Sequence, residues 1–299
     1  MSDASALARA AAPDAPRARA FRAATDESPL VRWILVAVAV TGLLVLVGAP
    51  LFVVFSEALA QGWSAAAKSL SNRDARSAIR LTLTIAAIAV PLNAIFGIAA
   101  AWFITKFDFR GKAVLITLID LPFSVSPVVA GLCIVLMFGA NSAIGGWLVA
   151  HDLPIVFALP GIVLATLFVT FPFVARELIP VMIEQGRAEE EAALTLGASG
   201  WRIFRTVTLP NIRWALFYGV LLSNARAMGE FGAVAVVSGK IRGQTATMPI
   251  TIEMLYNEYL SVAAFSMAAV LTLLALVTLL LKAALEMRHA DQLAAFRRH

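Results

Sequence analysis

Long runs of uncharged residues are the feature that most restricts the fold of this chain. Four runs contain no Asp, Glu, Lys or Arg: residues 33–55, 81–105, 153–175 and 259–281. Two further runs contain few charges, with Asp120 inside residues 113–139 and Arg213, Arg226 and Glu230 inside residues 212–238. A helix needs about 20 apolar residues to cross a hydrocarbon core of about 30 Å. The sequence therefore predicts an all-α polytopic membrane protein with six transmembrane helices.

The composition supports this class of protein. Hydrophobic residues make up 60% of the chain and charged residues 14%, and the mean hydropathy is +0.84. An average soluble domain has about 45–50% apolar and about 25% charged residues. The apolar runs do not alternate with polar residues as strands of a membrane barrel do, so a helical bundle is expected.

Basic residues are distributed unevenly between the segments that connect the spans. If both termini are cytoplasmic, 17 of the 24 Lys and Arg residues lie on the cytoplasmic side, as the positive-inside rule requires. This orientation predicts a cytoplasmic tail at residues 1–30, a six-helix transmembrane domain at 31–286 and a cytoplasmic tail at 287–299. The first tail is predicted to be disordered because it is rich in Ala, Pro and Arg and lacks a periodic apolar face. It also places residues 176–213, called the connecting loop below, in the cytoplasm.

The connecting loop has the pattern of two helices separated by a glycine. Acidic residues at 189–191 favour the start of a helix, and Gly197 is expected to end it in a left-handed conformation. Ser199 is suited to cap a second helix, and Pro210 is expected to begin the next one. Small and apolar residues here are consistent either with docking into a groove of a partner or with a hairpin that lies on the lipid headgroups.

The order of residues in the connecting loop resembles the EAA loop of permease subunits in binding-protein-dependent ABC importers. The fixed positions of that loop are matched by Glu191, Ala192, Ala193, Gly197, Leu209 and Pro210. Val207 stands where the family usually has Ile. In the family this loop couples the permease to a cytoplasmic ATPase, so the resemblance implies that role for these residues. It also implies the type I permease fold of ABC importers.

Other segments narrow the resemblance within that family. The segments that look like those of sulfate and thiosulfate permeases are residues 225–234, 237–239, 241–243, 248–249 and 255–259. Residues 121–127 and 91–93 fit the wider oxyanion group, which includes molybdate permeases. Lys240 departs from the His expected in many members. The resemblance implies import of sulfate or thiosulfate by alternating access. A permease for molybdate or another oxyanion, an ATP-independent secondary anion transporter and a membrane scaffold are the alternatives.

The resemblance also implies partners and a location. The chain would pair with a CysT-type permease, two CysA-type ATPase subunits and a periplasmic sulfate/thiosulfate-binding protein in the bacterial inner membrane. No cofactor is expected on this chain, because ATP and Mg would be bound by the partner ATPase. The chain itself is not expected to be an enzyme: Gly239-Lys240 lacks the rest of a phosphate-binding loop, and its three histidines are too scattered to suggest a metal site.

Polar residues inside the predicted spans are the candidates for a translocation pathway or gate. A charge at the bilayer centre costs about 2.5–3.5 kcal/mol on insertion scales, so Arg226 and Glu230 should face protein or water. Four residues apart on one predicted helix, they either form an ion pair that holds the bundle, or Arg226 draws the anion while Glu230 positions it or forms a gate.

Three uncharged polar residues are further pathway candidates. Ser124 and Ser126 lie between Pro122 and Pro127, where a kink or break is expected, and they either line the path or bond freed carbonyls. Asn93 either lines the path or makes an interhelical hydrogen bond.

Other charged residues have simpler expected roles. Asp120 is predicted to pair with Lys112 or Arg110. Lys240 and Arg242 are placed near the outer mouth, where they form a positive vestibule or are merely solvated.

Overall fold

The computed structural model describes residues 29–288. The disordered tail predicted at 1–30 and the C-terminal tail predicted at 287–299 therefore lie outside the described residues, except for positions 29, 30, 287 and 288, which are helical. The chain divides into two compact units, one ending at Phe52 and the other beginning at Val53.

The first described helices are almost entirely apolar. Helix α1 (Pro29–Leu43) runs into a π-helical turn (Leu44–Gly48), which is followed by α2 (Ala49–Ala58). Large apolar side chains such as Trp33, Leu46 and Phe52 are exposed along this segment, as expected for a helix that faces lipid.

The rest of the described chain is also helical. In order, its elements are α3 (Trp63–Leu70), α4 (Arg73–Lys106), α5 (Lys112–Ser124), α6 (Pro127–Phe138), α7 (Ala143–Ala150), α8 (Leu159–Gln185), α9 (Ala188–Thr195), α10 (Gly200–Ile203), a second π-helical turn (Phe204–Thr208), α11 (Leu209–Met228), α12 (Gly232–Val237), α13 (Met248–Asn257) and α14 (Ser261–Arg288). Residues 29–288 contain no strand, which confirms the all-α prediction.

The described helices include four that are long and apolar enough to cross a membrane: Leu30–Ala58, Arg73–Lys106, Leu159–Gln185 and Ser261–Ala284. The pair α5 and α6 meets the same test jointly, which makes up to five spans, although the two helices are bent by 108°. The sequence predicted six spans. The remaining predicted span, residues 212–238, is not one helix, because it is divided into α11 and α12 at residues 229–231.

The bend between α5 and α6 has a local cause in the sequence. Proline disfavours helical backbone at the residue before it, and Ser126, which precedes Pro127, has ψ 132°. Val125 is also extended, with φ −92° and ψ 132°. Pro122 lies within α5 and does not end it. The break predicted in this span is therefore confirmed, and Pro127 is the proline that causes it.

Helix α8 lies at the centre of the bundle because small residues let its neighbours approach closely. A Cβ on Gly97 of α4 would lie 2.6 Å from Val174 Cγ1, and one on Gly219 of α11 would lie 3.0 Å from Val174 Cα. Val174 is thus held between two glycines. Such small residues are the usual basis of tight helix packing in membranes. This packing brings the ends of α4 and α8 and the start of α11 together beside the connecting loop.

Candidate functional site

The glycine of the connecting loop ends α9 in the predicted way. Gly197 has φ +80°, a left-handed conformation that side chains with a Cβ rarely adopt. The Ala198 N–H donates to Ala193 O at 3.1 Å and the Gly197 N–H to Leu194 O at 2.9 Å, which is the Schellman arrangement. A Cβ at Gly197 would meet nothing within 4 Å, so the backbone angle, and not lack of space, requires glycine here. Ser199 is the N-cap residue of α10, although its side chain makes no capping hydrogen bond.

One side of the connecting loop is exposed and largely apolar. Leu194 is 62% exposed, Leu196 87% and Trp201 72%. Glu191 and Ala192 are exposed beside them, and Ala193 is half-buried. Within the described residues Glu191 forms no ion pair or side-chain hydrogen bond, so its carboxylate is available to a partner. Exposed apolar side chains grouped around a charge are typical of a protein interaction surface.

The other two glutamates of α9 bond to the membrane helices. Lys106 Nζ at the end of α4 lies 3.0 Å from Glu190 Oε2. Thr208 Oγ1 donates to Glu190 Oε1 at 2.7 Å. Asn211 Nδ2 donates to Glu189 Oε2 at 2.5 Å. Sequence reasoning grouped the three glutamates as a helix start and missed this division of roles. The only sign of these contacts in the sequence was Lys106, a basic residue with no predicted partner at the predicted cytoplasmic end of a span.

Helix α11 begins at Leu209 with Pro210 in its first turn, as the sequence predicted, but it is not separated from the turn before it. The residues that join α10, the π-helical turn and α11 all have right-handed helical angles, so the helix continues from Gly200 to Met228. Proline has no N–H to donate and normally disrupts a helix interior. Here the preceding turn adopts π geometry, in which the Leu209 N–H donates to Phe204 O. Leu209 itself is half-buried and packs against the core cluster that contains Leu178 and Ile212.

Two breaks in the membrane helices pack against each other. Gly232, the first residue of α12, comes so close to the start of α6 that a Cβ on it would lie 3.0 Å from Pro127 Cβ. One turn further along α6, a Cβ on Gly131 would lie 2.6 Å from Ala233 O. The break at residues 125–126 and the break at residues 229–231 are therefore neighbours in space. Both break regions place polar residues at the junction.

Arg226 and Glu230 form an ion pair across one of these breaks. Glu230 Oε2 lies 3.0 Å from Arg226 Nη1, and the side chains are 1% and 37% exposed, respectively. The Ala233 N–H donates to Glu230 Oε1 at 3.1 Å, so the same carboxylate caps α12. The two residues do not share one continuous helix, as the sequence suggested, because α11 ends at Met228.

Ser124, Ser126 and Asn93 differ sharply in their surroundings. Ser124 and Ser126 are exposed, and within residues 29–288 their side chains make no hydrogen bond, so they do not bond the carbonyls freed by proline. Asn93 is fully buried, and its Nδ2 donates to Thr170 Oγ1 at 2.6 Å and to Ser223 Oγ at 3.2 Å. It thereby joins α4, α8 and α11.

Other charged residues have partners that the sequence did not predict. Asp120 pairs with Arg176 at 3.3 Å, not with Lys112 or Arg110. Lys112 instead lies 3.7 Å from Asp108.

The outer basic residues predicted to form a vestibule are also paired. Lys240 contacts Glu253 at 2.6 Å, and Arg242 bonds to Glu258 and lies 4.0 Å from Asp74. Their positive charges are thus largely neutralised.

Comparisons with known proteins identify the family of this chain. The model of the binding-protein-dependent transport system inner membrane component family matches residues 93–290. The chain belongs to that family, whose members are membrane-spanning subunits of transport systems. It is 52% identical to the sulfate transport system permease protein CysW of Escherichia coli K12, over 87% of this chain and 90% of the relative. It is 54% identical to CysW of a Synechocystis strain, over 86% of this chain and 94% of the relative.

More distant matches extend the comparison. The sulfate transport system permease protein CysT of Escherichia coli K12 is 36% identical over 74% of this chain and 80% of that protein. In structure, the chain matches a bacterial ABC transporter that imports the acidic polysaccharide alginate, with a TM-score of 0.72 at 17% identity, covering 87% of this chain and 96% of the other. The same kind of transporter, in complex with an alginate-bound periplasmic protein, matches with a TM-score of 0.69 at 16% identity, covering 87% and 94%. These matches show that the fold is that of an ABC importer permease.

Proposed function

We propose that this chain is the transmembrane permease subunit of an ATP-driven importer that carries sulfate or thiosulfate into the cytoplasm by alternating access. The observation that carries this proposal is the identity of 52% to 54% with CysW proteins over almost the whole membrane region. The relatives favour sulfate over molybdate, and an ABC importer over an ATP-independent transporter. The connecting loop, with its unpartnered Glu191, supports the same conclusion.

The proposed membrane topology has six spans and two cytoplasmic termini. Four spans are single long helices, the fifth is the bent pair of α5 and α6, and the sixth is α11 with α12. Helix α11 is less apolar than the others, but two of its polar side chains are paired: Asn93 donates to Ser223, and Arg226 pairs with Glu230. Pairing lowers the cost of placing such groups within the membrane. The chain then lies in the bacterial inner membrane.

The proposed complex contains a CysT-type permease, two CysA-type ATPase subunits and a periplasmic sulfate/thiosulfate-binding protein. This chain has no ATPase role of its own, and ATP and Mg bind to the partner ATPase. Glu191, Ala192 and the exposed apolar residues beside them supply the docking surface. Closure of the ATPase dimer on ATP moves this surface, and the membrane helices follow it between inward-open and outward-open states.

The juxtaposed helix breaks are the proposed gate. Ser124 and Ser126 present free hydroxyls there, and the half-exposed Arg226 presents positive charge to a dianion. Glu230 holds Arg226 in place and stabilises the start of α12. Asn93, which is buried between three helices, positions α11 and does not itself contact the anion in this conformation. Non-helical backbone at this depth is expected where helices line a transport path.

The test of this function is uptake of labelled sulfate, with labelled molybdate measured in parallel, in the source cell before and after deletion of the gene. We expect deletion to abolish sulfate uptake and to leave molybdate uptake unchanged. The intact chain should restore uptake. A Gly197→Trp variant, which fills the docking surface, should insert normally and fail to restore uptake.

The result that contradicts the proposal is equally specific. Normal sulfate uptake in the deletion strain, in a cell shown to have no second sulfate importer, would exclude the sulfate function. Loss of molybdate uptake alone would assign the chain to the other oxyanion.

A further inference from the structure

A cluster of four residues connects α9 to the inner ends of the membrane helices. It consists of Lys106, Gly186, Glu190 and Thr208, and is called the inner clamp below. Lys106 Nζ lies 3.0 Å from Glu190 Oε2 and donates to Gly186 O at 2.7 Å. Thr208 Oγ1 donates to Glu190 Oε1 at 2.7 Å. The carboxylate of Glu190 therefore uses both oxygens for the clamp.

Each member of the inner clamp belongs to a different structural element. Lys106 is the last residue of α4, and Gly186 follows the end of α8. Glu190 lies in the first turn of α9, and Thr208 precedes α11. One ammonium and one carboxylate thus hold three membrane helices and the exposed helix of the connecting loop together.

The ion pair of the inner clamp is largely shielded from water, although Gly186 is exposed. The Lys106 side chain is 8% exposed and that of Glu190 20%. A second pair at the same end of the molecule, Lys112 and Asp108, is 36% and 82% exposed at 3.7 Å. Solvent and salt weaken exposed pairs far more than shielded ones. The two pairs therefore differ in strength although both join a lysine to an acid near the connecting loop.

An aromatic contact reinforces the inner clamp on the same helix. Trp102, one turn before Lys106, stacks on Phe204 with ring centroids 4.8 Å apart and planes 10° apart. Phe204 also stacks on the exposed Trp201 at 5.5 Å. The end of α4 is consequently attached to the connecting loop by both polar and apolar contacts. Asp108, just after α4, also pairs with Arg187 of the loop at 3.6 Å. A displacement of the loop therefore moves α4 with it unless these contacts break.

We infer that Lys106 and Glu190 are positioning residues that transmit movement of the docking surface to α4. The inference rests on the proposed function, since it concerns how the ATPase drives the membrane helices. Glu191, the next residue along, is exposed and has no partner in the described part of the chain. Because consecutive residues of a helix point about 100° apart, α9 presents Glu190 to the membrane helices and Glu191 to a partner. Docking and transmission are thereby assigned to neighbouring but separate side chains.

The experiment uses the whole complex in liposomes and compares ATP hydrolysis with sulfate uptake. The variants are Lys106→Glu, Glu190→Lys and the two together, with Lys112→Glu as the matched control on the exposed pair. We expect each single clamp variant to retain the ATPase on purification and to lower sulfate uptake per ATP hydrolysed by about fivefold or more, the scale of a typical coupling between sites. The exchanged pair should recover part of the loss, because it restores the attraction between positions 106 and 190 but not the hydrogen bond to Gly186 O. Lys112→Glu should behave like the native chain.

A second measurement follows α4 without depending on the substrate. Cys133→Ala removes the single thiol of this chain, and Arg76→Cys introduces a thiol at an exposed position of α4 outside the apolar run 81–105. We expect ATP to change the rate of maleimide labelling of Arg76→Cys in the native background and to have no effect with Lys106→Glu. Restoration of the ATP effect by the exchanged pair would distinguish transmission from simple loss of folding.

Three outcomes are decisive. An unchanged ratio of uptake to hydrolysis, with ATP-dependent labelling intact, in Lys106→Glu would overturn the inference. The inference would also be overturned if the single variants lost the ATPase altogether and the exchanged pair did not restore it. The clamp would then only maintain the fold. Native complex that hydrolyses ATP and shows the labelling change, but takes up no sulfate, would contradict the proposed function and leave the clamp supported.

Discussion

Glu230 is buried and Arg226 is half-exposed, although the two side chains form one ion pair at 3.0 Å. The pair is therefore unequal: the carboxylate depends on the guanidinium for compensation of its charge, whereas the guanidinium also reaches water. The Ala233 N–H supplies Glu230 with a further hydrogen bond at 3.1 Å. This asymmetry decides what the loss of either residue does.

Arg226→Met should destabilise the protein more than Glu230→Gln. Removing the guanidinium leaves a buried carboxylate without its partner, which typically costs about 3–5 kcal/mol. Glutamine at position 230 keeps an oxygen that accepts from Ala233, and the arginine left behind is solvated in part. Thermal unfolding of the purified complex would check the order. Both variants should lose sulfate uptake, and equal unfolding temperatures would contradict the asymmetry.

Gly131→Ala should separate the two helix breaks. The added Cβ would lie 2.6 Å from Ala233 O, a backbone atom that cannot rotate away. Overpacking of this kind typically costs about 1–3 kcal/mol. We expect a lower unfolding temperature and reduced uptake. Gly42→Ala, where a Cβ meets nothing within 4 Å, is the matched control and should change neither.

Gly97→Ala should be partly relieved by shortening the side chain that it meets. Its Cβ would lie 2.6 Å from Val174 Cγ1 and 2.7 Å from Val174 Cβ. Val174→Ala removes the first of these atoms and keeps the second, so the double variant should be more stable than the sum of the two single effects predicts. A double-variant cycle on unfolding temperature measures this coupling. Strict additivity would show that α4 and α8 do not meet here.

Gly197→Ala should impair the connecting loop through its backbone. A left-handed residue with a Cβ is disfavoured by roughly 1–2 kcal/mol, and space around Gly197 offers no compensation. We expect weaker capture of the ATPase by affinity purification. Gly200→Ala changes the same loop at a glycine without positive φ and with nothing within 4 Å of the added Cβ, and it should retain normal capture. Similar capture by both variants would argue against a conformational role for Gly197.

The sequence predicted best those features that depend on neighbouring residues. Pro127 restricts the backbone of Ser126, so the break in that span was predictable, and Gly197 is recognisable as the end of α9 from its position alone. The all-helical class follows from the length of the apolar runs. The proposed coupling residues were located from the spacing of the EAA loop, which also involves only residues that are close together in the sequence.

Contacts between distant segments could not be predicted in this way. The pairing of Asp120 with Arg176 depends on how α5 and α8 rotate against each other, which no local pattern specifies. Lys106 and Glu190 meet because two helices end at the same level of the bundle. The break at residues 229–231 also escaped prediction. Gly229 and Phe231 have no proline beside them, and the carboxylate that stabilises the break belongs to Glu230, which lies within it.

The π-helical turn at Phe204–Thr208 sets the angular position of every residue on α11. A π turn contains about one residue more than an α turn, and each residue of a helix advances about 100° around the axis. If the turn relaxed to α geometry while α10 stayed fixed, Ser223 would rotate away from Asn93 and Arg226 would point in a new direction. A local change of winding at Phe204–Thr208 would therefore rotate Ser223 and Arg226 near the other end of the helix that runs from Gly200 to Met228.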